Sequence, residues 1–192
     1  MKKPFIVEFL GTPEAGKTTT VRSLCKKLGK EYSTEYIQES AERKPDNIPK
    51  GSLDGHWWIR MNTVDQILEA KYCGKDIALV DRGLVDSIFW NVLFCEQGKL
   101  SEEEKNIANS FLLQLNLFPD LCIIFTVSAE ECIRRRGGEG SIVNFEFIES
   151  YNKVLKEFCD RFQNIKMIII DTTNLSKEEV EAIVYKKIQE FI

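Results

Sequence analysis

Residues Gly11-Thr12-Pro13-Glu14-Ala15-Gly16-Lys17-Thr18 fit the pattern G-x-x-x-x-G-K-S/T, and no other feature restricts the folds open to this chain as strongly. The apolar run Pro4–Leu10 precedes it and reads as a buried strand. A helical spacing follows over Thr18–Leu28, with Val21, Leu24, Cys25 and Leu28 on one face and Gly29 as its cap. Strand, glycine-bearing turn and helix in that order let successive backbone N–H groups wrap an anion. The unpaired donors and positive dipole end of the helix face the same point. Lys17 adds a mobile charge for β- and γ-phosphates, and the Thr18 hydroxyl can ligate Mg2+ beside them. Gly11–Thr18, continued by Thr19, is therefore expected to hold a nucleoside triphosphate with Mg2+. The reaction stays open, because such loops serve switches, motors and kinases alike.

Charge and length narrow the partners. Among 192 residues, 26 Lys and Arg stand against 30 Asp and Glu, a net charge of −4. That balance argues against a phosphate-backbone footprint, so nucleic acid is not an expected partner. Residues 1–192 read as one domain, in keeping with about 100–200 residues per domain. His56 is the sole histidine, too few for a multi-histidine metal site. Cys25, Cys73, Cys95, Cys122, Cys132 and Cys159 stand singly with no CxxC pair. They read as reduced, mostly buried small residues of a cytoplasmic protein. No apolar run approaches the roughly 20 residues of a membrane span, and Met1-Lys2-Lys3-Pro4 leads into the first strand with no cleavage site.

Further strands are expected at Tyr32–Gln38, Asp76–Val80, Leu121–Val127 and Lys166–Ile170. Helices are expected at His56–Tyr72, Leu84–Phe94, from Ser101 to about Leu117, from Ser128 into Arg134-Arg135-Arg136, at Ile142–Phe162 and after Ser176. Ser101 with Glu104, Ser128 with Glu131 and Ser176 with Glu179 read as capping boxes. Pro45, Asn47, Pro49, Gly51 and Gly55 mark Ala41–Gly55 as a surface loop. Strands alternating with helices, each strand nearly all apolar, imply a three-layer α/β/α fold around a five-stranded parallel sheet.

Asp81 ends a buried strand at the edge where open α/β sheets bind ligands, and it can hold Mg2+ close to Thr18. Arg82 can grip a phosphate with its planar fork. Glu39 ends the second strand on the same edge as a candidate general base, with Glu35 and Glu42 as rivals. Arg134, Arg135 and Arg136 abut the hinge-like Gly137-Gly138, so residues 134–143 read as a lid that closes charge onto a transferring phosphoryl group. Neighbours on a helix point about 100° apart, so all three cannot face one site; Arg134 and Arg136 are the candidates. Trp57, Trp58, Phe89 and Trp90 could stack a base, with Asn62, Gln66 and Asn91 reading its edge. Trp58, Asn62 and Gln66 share a helical face at i, i+4 spacing. Phe111, Phe118, Phe125 and Phe158 are assigned to the core.

The run Ala78–Asn91, ALVDRGLVDSIFWN, resembles the Asp-Arg signature of thymidylate kinases, with Ser87 and Trp90-Asn91 at the corresponding offsets. Arg134-Arg135-Arg136-Gly137 followed by FEFIESYNKVLKEF resembles that family's arginine lid and the helix behind it. Ile170-Asp171-Thr172 resembles its last strand and adenine-side loop, which implies that Asp171 lies near the adenine. Two positions depart from the family. Pro13, with Glu14 next, stands where an acidic residue is common, and Ile37-Gln38-Glu39-Ser40 replaces an Arg-Glu-Pro-Gly-Gly segment. A lone Glu39 there resembles the related deoxynucleoside kinases, whose base is a glutamate after this strand. The resemblance implies an ATP- and Mg2+-dependent kinase and a homodimer, with a nucleoside or a nucleoside monophosphate as acceptor. Its rival is a nucleotide-hydrolysing switch or regulatory ATPase, against which no Asn-Lys-x-Asp guanine signature is present.

Overall fold

The computed structural model of the chain describes residues 3–49, 52–140, 142–162 and 165–192. Five strands form its sheet: β1 (Phe5–Gly11), β2 (Thr34–Ile37), β3 (Ile77–Asp81), β4 (Leu121–Thr126) and β5 (Met167–Asp171). Their order is β2-β3-β1-β4-β5, and every neighbouring pair is parallel. Parallel strands need crossovers, and helices α1 (Lys17–Leu28), α2 (Leu53–Tyr72), α3 (Leu84–Glu96), α4 (Glu102–Gln114), α5 (Ala129–Arg136) and α6 (Phe145–Arg161) lie in them, while α7 (Lys177–Gln189) follows β5.

Strand side chains alternate between the faces, so β1 sends Ile6 and Leu10 to one side and Val7 and Phe9 to the other. On the first side they pack against Ile67 of α2, Val85 and Phe89 of α3, and Leu155 and Phe158 of α6. On the second they meet Val21 and Leu24 of α1 and Val184 and Ile188 of α7. The three-layer α/β/α architecture expected from the alternation is present. Each fully buried Leu, Ile or Phe of these layers adds about 1.5–3 kcal/mol.

The chain leaves β1 toward β2 and β3 on one side and toward β4 and β5 on the other. The crevice of this topology lies over the carboxyl ends of the strands, where Gly11, Asp81 and Glu39 stand. The helix beginning at Ser52 takes up part of the expected loop: Ser52 Oγ accepts from Gly55 N at 3.0 Å, so α2 starts three residues before His56. Ser40–Arg43 is a short 3-10 turn; Gly51, Met1 and Lys2 lie outside the described residues. Asn144 caps α6 by accepting from Phe147 N at 2.8 Å, which delays its start from Ile142 to Phe145. Ser101 and Ser176 form complete capping boxes. Ser128 accepts from Glu131 N, but the Glu131 carboxylate turns to Arg134 and Arg135 instead of closing the box. Phe111 is 46% exposed on α4 rather than core, because α4 contributes only Ala108 and Leu112 to its buried side. Cys122 and Cys132 are buried, while the other four free thiols are half-buried.

Candidate functional site

The phosphate loop is shaped by backbone that only certain residues tolerate. Gly11 has φ +127°, and a Cβ on it would lie 1.9 Å from Phe125 O, the carbonyl that accepts from Thr12 N at 2.9 Å. Gly16 follows at φ +90° and Glu14 at φ +56°. Side chains from α6 clamp the loop. Tyr151 Oη donates to Gly11 O at 2.9 Å, Thr12 Oγ1 donates to Asn152 Oδ1 at 2.6 Å, and Asn152 Nδ2 donates to Val127 O at 2.9 Å. Lys17 folds back to donate to Thr12 O at 2.6 Å. Burial and the nearby Arg82 push its ammonium below the ordinary lysine range, against the pull of Asp86, Asp81 and Glu39. Phosphate oxygens in the loop would compete for this ammonium and restore its charge. Pro13, Ala15, Gly16 and Thr18 complete the ring with little exposure, while Glu14 and Thr19 are exposed.

Beside the loop stands a charged cluster from the carboxyl ends of β2 and β3. Arg82, at φ +56°, pairs through Nε with Glu39 Oε1 at 3.1 Å and through Nη1 with Asp86 Oδ1 at 2.9 Å. Burial raises both carboxyl groups, and Arg82 opposes the rise. Asp81 is fully buried; Tyr36 Oη donates to its Oδ2 at 3.4 Å, and its Oδ1 has no partner among the described residues. One orphaned carboxylate oxygen suits a hard cation that takes its other ligands from hydroxyls, phosphates and water, as Mg2+ does. Among the described residues no group of three or more His, Cys, Asp or Glu offers an all-protein metal cage.

A cavity of about 550 Å3 opens from this cluster and follows α3. Asp86 lies in the first turn of α3 and Phe94 near its end, about 12 Å further at 1.5 Å per residue. Glu39, Arg82, Asp86 and Arg136 line the cavity together with Trp90, His56 and Arg60. Trp90 packs edge-on against Phe94 and Tyr151 at 5.6 and 5.8 Å between centroids. Arg60 is 2% exposed, and none of its guanidinium nitrogens has a hydrogen-bond partner among the described residues. It lies 4.9 Å over Trp57, and burial pushes it down to about 9. His56 packs against Phe94 with the rings tilted and their centroids 4.2 Å apart; burial, with Arg60 and Lys99, pushes the imidazole down to about 2 and keeps it neutral.

The face of α2 turned to the cavity is thus His56, Arg60 and Thr63, not that of Trp58 and Asn62, which sit about 200° away around the helix. Asn62 Nδ2 donates to Trp58 O at 2.9 Å. Gln66 accepts from Ser40 Oγ at 2.9 Å and donates to Gln38 O and Asp81 O at 3.0 and 3.1 Å, tying the ends of β2 and β3 together. Asn91 donates to Asn109 Oδ1 on α4 at 2.6 Å. The structure brings Trp90 to the cavity and places Trp58, Asn62, Gln66 and Asn91 outside its lining.

The three arginines in the last turn of α5 separate as their spacing requires. Arg134 is 73% exposed and pairs with Glu131 at 2.5 Å. Arg135 donates to Glu131, to Glu14 O at 3.3 Å and to Thr172 O at 2.6 Å, joining α5 to the phosphate loop and the end of β5. Arg136 lines the cavity, 3.8 Å from Glu14 Oε1. Asp171 accepts from Thr173 N at 2.9 Å and Thr173 Oγ1 at 2.6 Å, and Ser128 N donates to the same hydroxyl at 3.0 Å. The loops after β4 and β5 are thereby linked.

One buried carboxylate supports the whole cluster from below. Glu8 of β1 accepts from Gly83 N, Asp86 N and Val85 N, and burial pushes it up to about 7 despite those bonds. The sequence reading missed Glu8 because it sits within an apolar run. It passed over Asp86, whose i+4 offset from Arg82 was the available signal. His56 and Arg60 carried only their i, i+4 spacing.

A family model described as an AAA domain matches residues 6–177. The chain belongs to this family. Curated relatives include a probable thymidylate kinase of Methanococcus vannielii, 26% identical over 92% of this chain and 90% of that protein. Another, a probable thymidylate kinase of Methanococcus aeolicus, is 28% identical over 97% of this chain and 96% of its own length. Among solved structures, a deoxyadenosine kinase from M. mycoides superposes with TM-score 0.74 at 18% identity, covering 97% of this chain and 100% of that one. The thymidylate kinase of Candida albicans gives TM-score 0.72 at 16% identity, over 98% and 92%. Those two structures share the fold with this AAA-domain protein. The likeness to the thymidylate and deoxynucleoside kinase group drawn from the sequence is borne out.

Proposed function

We propose that the protein is a phosphotransferase that moves the γ-phosphoryl group of ATP, with Mg2+, to a nucleoside or nucleoside monophosphate. One observation carries this reading: the cavity along α3 opens on the charged cluster beside Lys17, so an acceptor lying in it would meet a donor held by the phosphate loop. The relatives named as thymidylate kinases support it. Loop amides and Lys17 would bind the donor phosphates, and Asp171 would lie on the adenine side. Thr18 and Asp81 would hold Mg2+, which would neutralise charge between the β- and γ-phosphates. Arg82 and Arg136 would meet the charge that spreads over the transferring group. Glu39, held by Arg82, would orient the acceptor hydroxyl and accept its proton; a loose transition state demands little of that base. Trp90 and Arg60 would contact the far part of the acceptor. Assembly as a cytoplasmic homodimer belongs to the same reading, and exposed Ile107 and Phe111, at i, i+4 spacing on α4, offer such a dimer an apolar contact.

The test is phosphate transfer from ATP with Mg2+ to a panel of nucleosides and monophosphates. Lys17→Ala should lower transfer by at least about 10²-fold without changing the circular-dichroism spectrum, since its side chain serves phosphate charge rather than packing. Undiminished turnover in that variant would refute the assignment.

A further inference from the structure

Glu8 stands where the pattern of β1 calls for an apolar residue. Ile6 and Leu10, its neighbours on the same face, are core, and Glu8 itself is wholly buried. A carboxylate at that depth is costly unless its oxygens are hydrogen-bonded. Here they are: Oε1 accepts from Gly83 N at 3.0 Å and Asp86 N at 2.8 Å, and Oε2 accepts from Val85 N at 3.1 Å. These amides open α3, whose N-cap, Gly83, has no side chain to bond them. A central strand thus caps the helix from beneath, and its negative charge sits at the positive end of the helix dipole.

The segment pinned in this way is the turn that presents the charged cluster. Arg82 is held at φ +56°, a conformation uncommon for a residue with a side chain. Gly83 admits no Cβ, which would lie 2.8 Å from Glu8 Oε2 and 2.9 Å from Ile67 Cδ1. Asp86 gives its amide to Glu8 and its carboxylate to Arg82 at 2.9 Å. A single rigid unit therefore runs from the carboxylate in the sheet to the guanidinium in the cavity.

We propose that Glu8 is a positioning residue for phosphoryl transfer, its carboxylate fixing the Arg82–Asp86 turn so that both side chains face the reacting groups in one orientation. The inference rests on the phosphotransferase reading. The amide of Gln would turn an N–H2 toward one of the three N–H donors, and the turn would relax. A merely structural role predicts something else: lower stability with the reaction unaltered.

Two variants of the full chain, Glu8→Gln and Gly83→Ala, decide between these roles. The first readout needs no turnover: the backbone amide resonances of Gly83, Val85 and Asp86 and the Nε–H resonance of Arg82. In Glu8→Gln all four should shift, while amides of the phosphate loop stay in place. The second readout is kinetic. Acceptor-dependent kcat should fall by about 30-fold or more while the ATP Kd stays within about twofold. Gly83→Ala, which drives the carboxylate from its place while keeping its charge, should give the same split. An unmoved Arg82 resonance, or kcat preserved alongside a lowered Tm, would overturn the proposal. If both variants lose the fold, Glu8 is structural and the proposal falls. If the wild-type protein transfers phosphate to no acceptor, the phosphotransferase reading fails by itself. The Arg82 resonance then judges the turn: a shift in Glu8→Gln supports the pinning, and its absence overturns it.

Discussion

Arg134 and Arg136 belong to one short helix and meet different surroundings, so they should answer differently to removal. Arg134 is held by Glu131 in solvent, where water and salt screen the pair, whereas Arg136 reaches the cavity. Arg136→Ala should lower kcat by about 10²-fold with little change in ATP affinity measured without acceptor, because in the proposed reading its charge would act mainly in the transition state. Arg134→Ala should stay near wild type. Steady-state kinetics on the two variants check this, and equal losses would contradict it. Arg60 touches the Trp57 ring but has no hydrogen-bond partner for its guanidinium among the described residues, so in the proposed reading its donors would serve whatever fills the cavity. Arg60→Ala should raise acceptor KM about 10-fold or more and alter kcat less. A residue with an i, i+4 neighbour and no motif, such as Arg60, leaves no mark in sequence. Lys17, by contrast, is announced by the pattern around it.

At the scale of elements, the phosphate loop and its flanking strand and helix were legible because the backbone physics admits few sequences there. Gly11, pressed against Phe125 O, is one such restriction. The face that α2 turns inward was not legible, since aromatic and amide residues line more than one side of that helix. The start of α3 was half legible: Asp81 and Arg82 stood out, but the carboxylate beneath them lies 73 or more residues earlier in the chain. That carboxylate also gives α3 a pH signature. Glu8 has a native pKa near 7, above its ordinary value of 4.5, so the folded protein takes up a proton that the unfolded chain releases. Its contribution to stability is fully present below about pH 4.5 and is lost as pH rises toward 7. Asp86 and Cys122 face it and share its field. The Tm of wild type relative to Glu8→Gln should therefore fall between pH 5 and 7 and level off above, about as the linkage requires. Parallel melting curves across that range would contradict the burial account.

At the scale of the whole molecule, three layers bring the ends of β1, β2 and β3 to one crevice, and the alternation of strands and helices made that arrangement readable from sequence. The cavity was not readable, because it is built jointly by α2, α3 and the end of α5, from residues separated by 97 positions between Glu39 and Arg136. Its adjacency to the loop separates transfer from simple hydrolysis, and one measurement addresses that directly. Labelled ATP with Mg2+ is incubated with and without each nucleoside and nucleoside monophosphate, and the label is followed to acceptor or to free phosphate. The account predicts label on an acceptor, with turnover that depends on that acceptor and collapses when Mg2+ is withdrawn. Release of free phosphate at the same rate whatever acceptor is present, with none labelled, would contradict it.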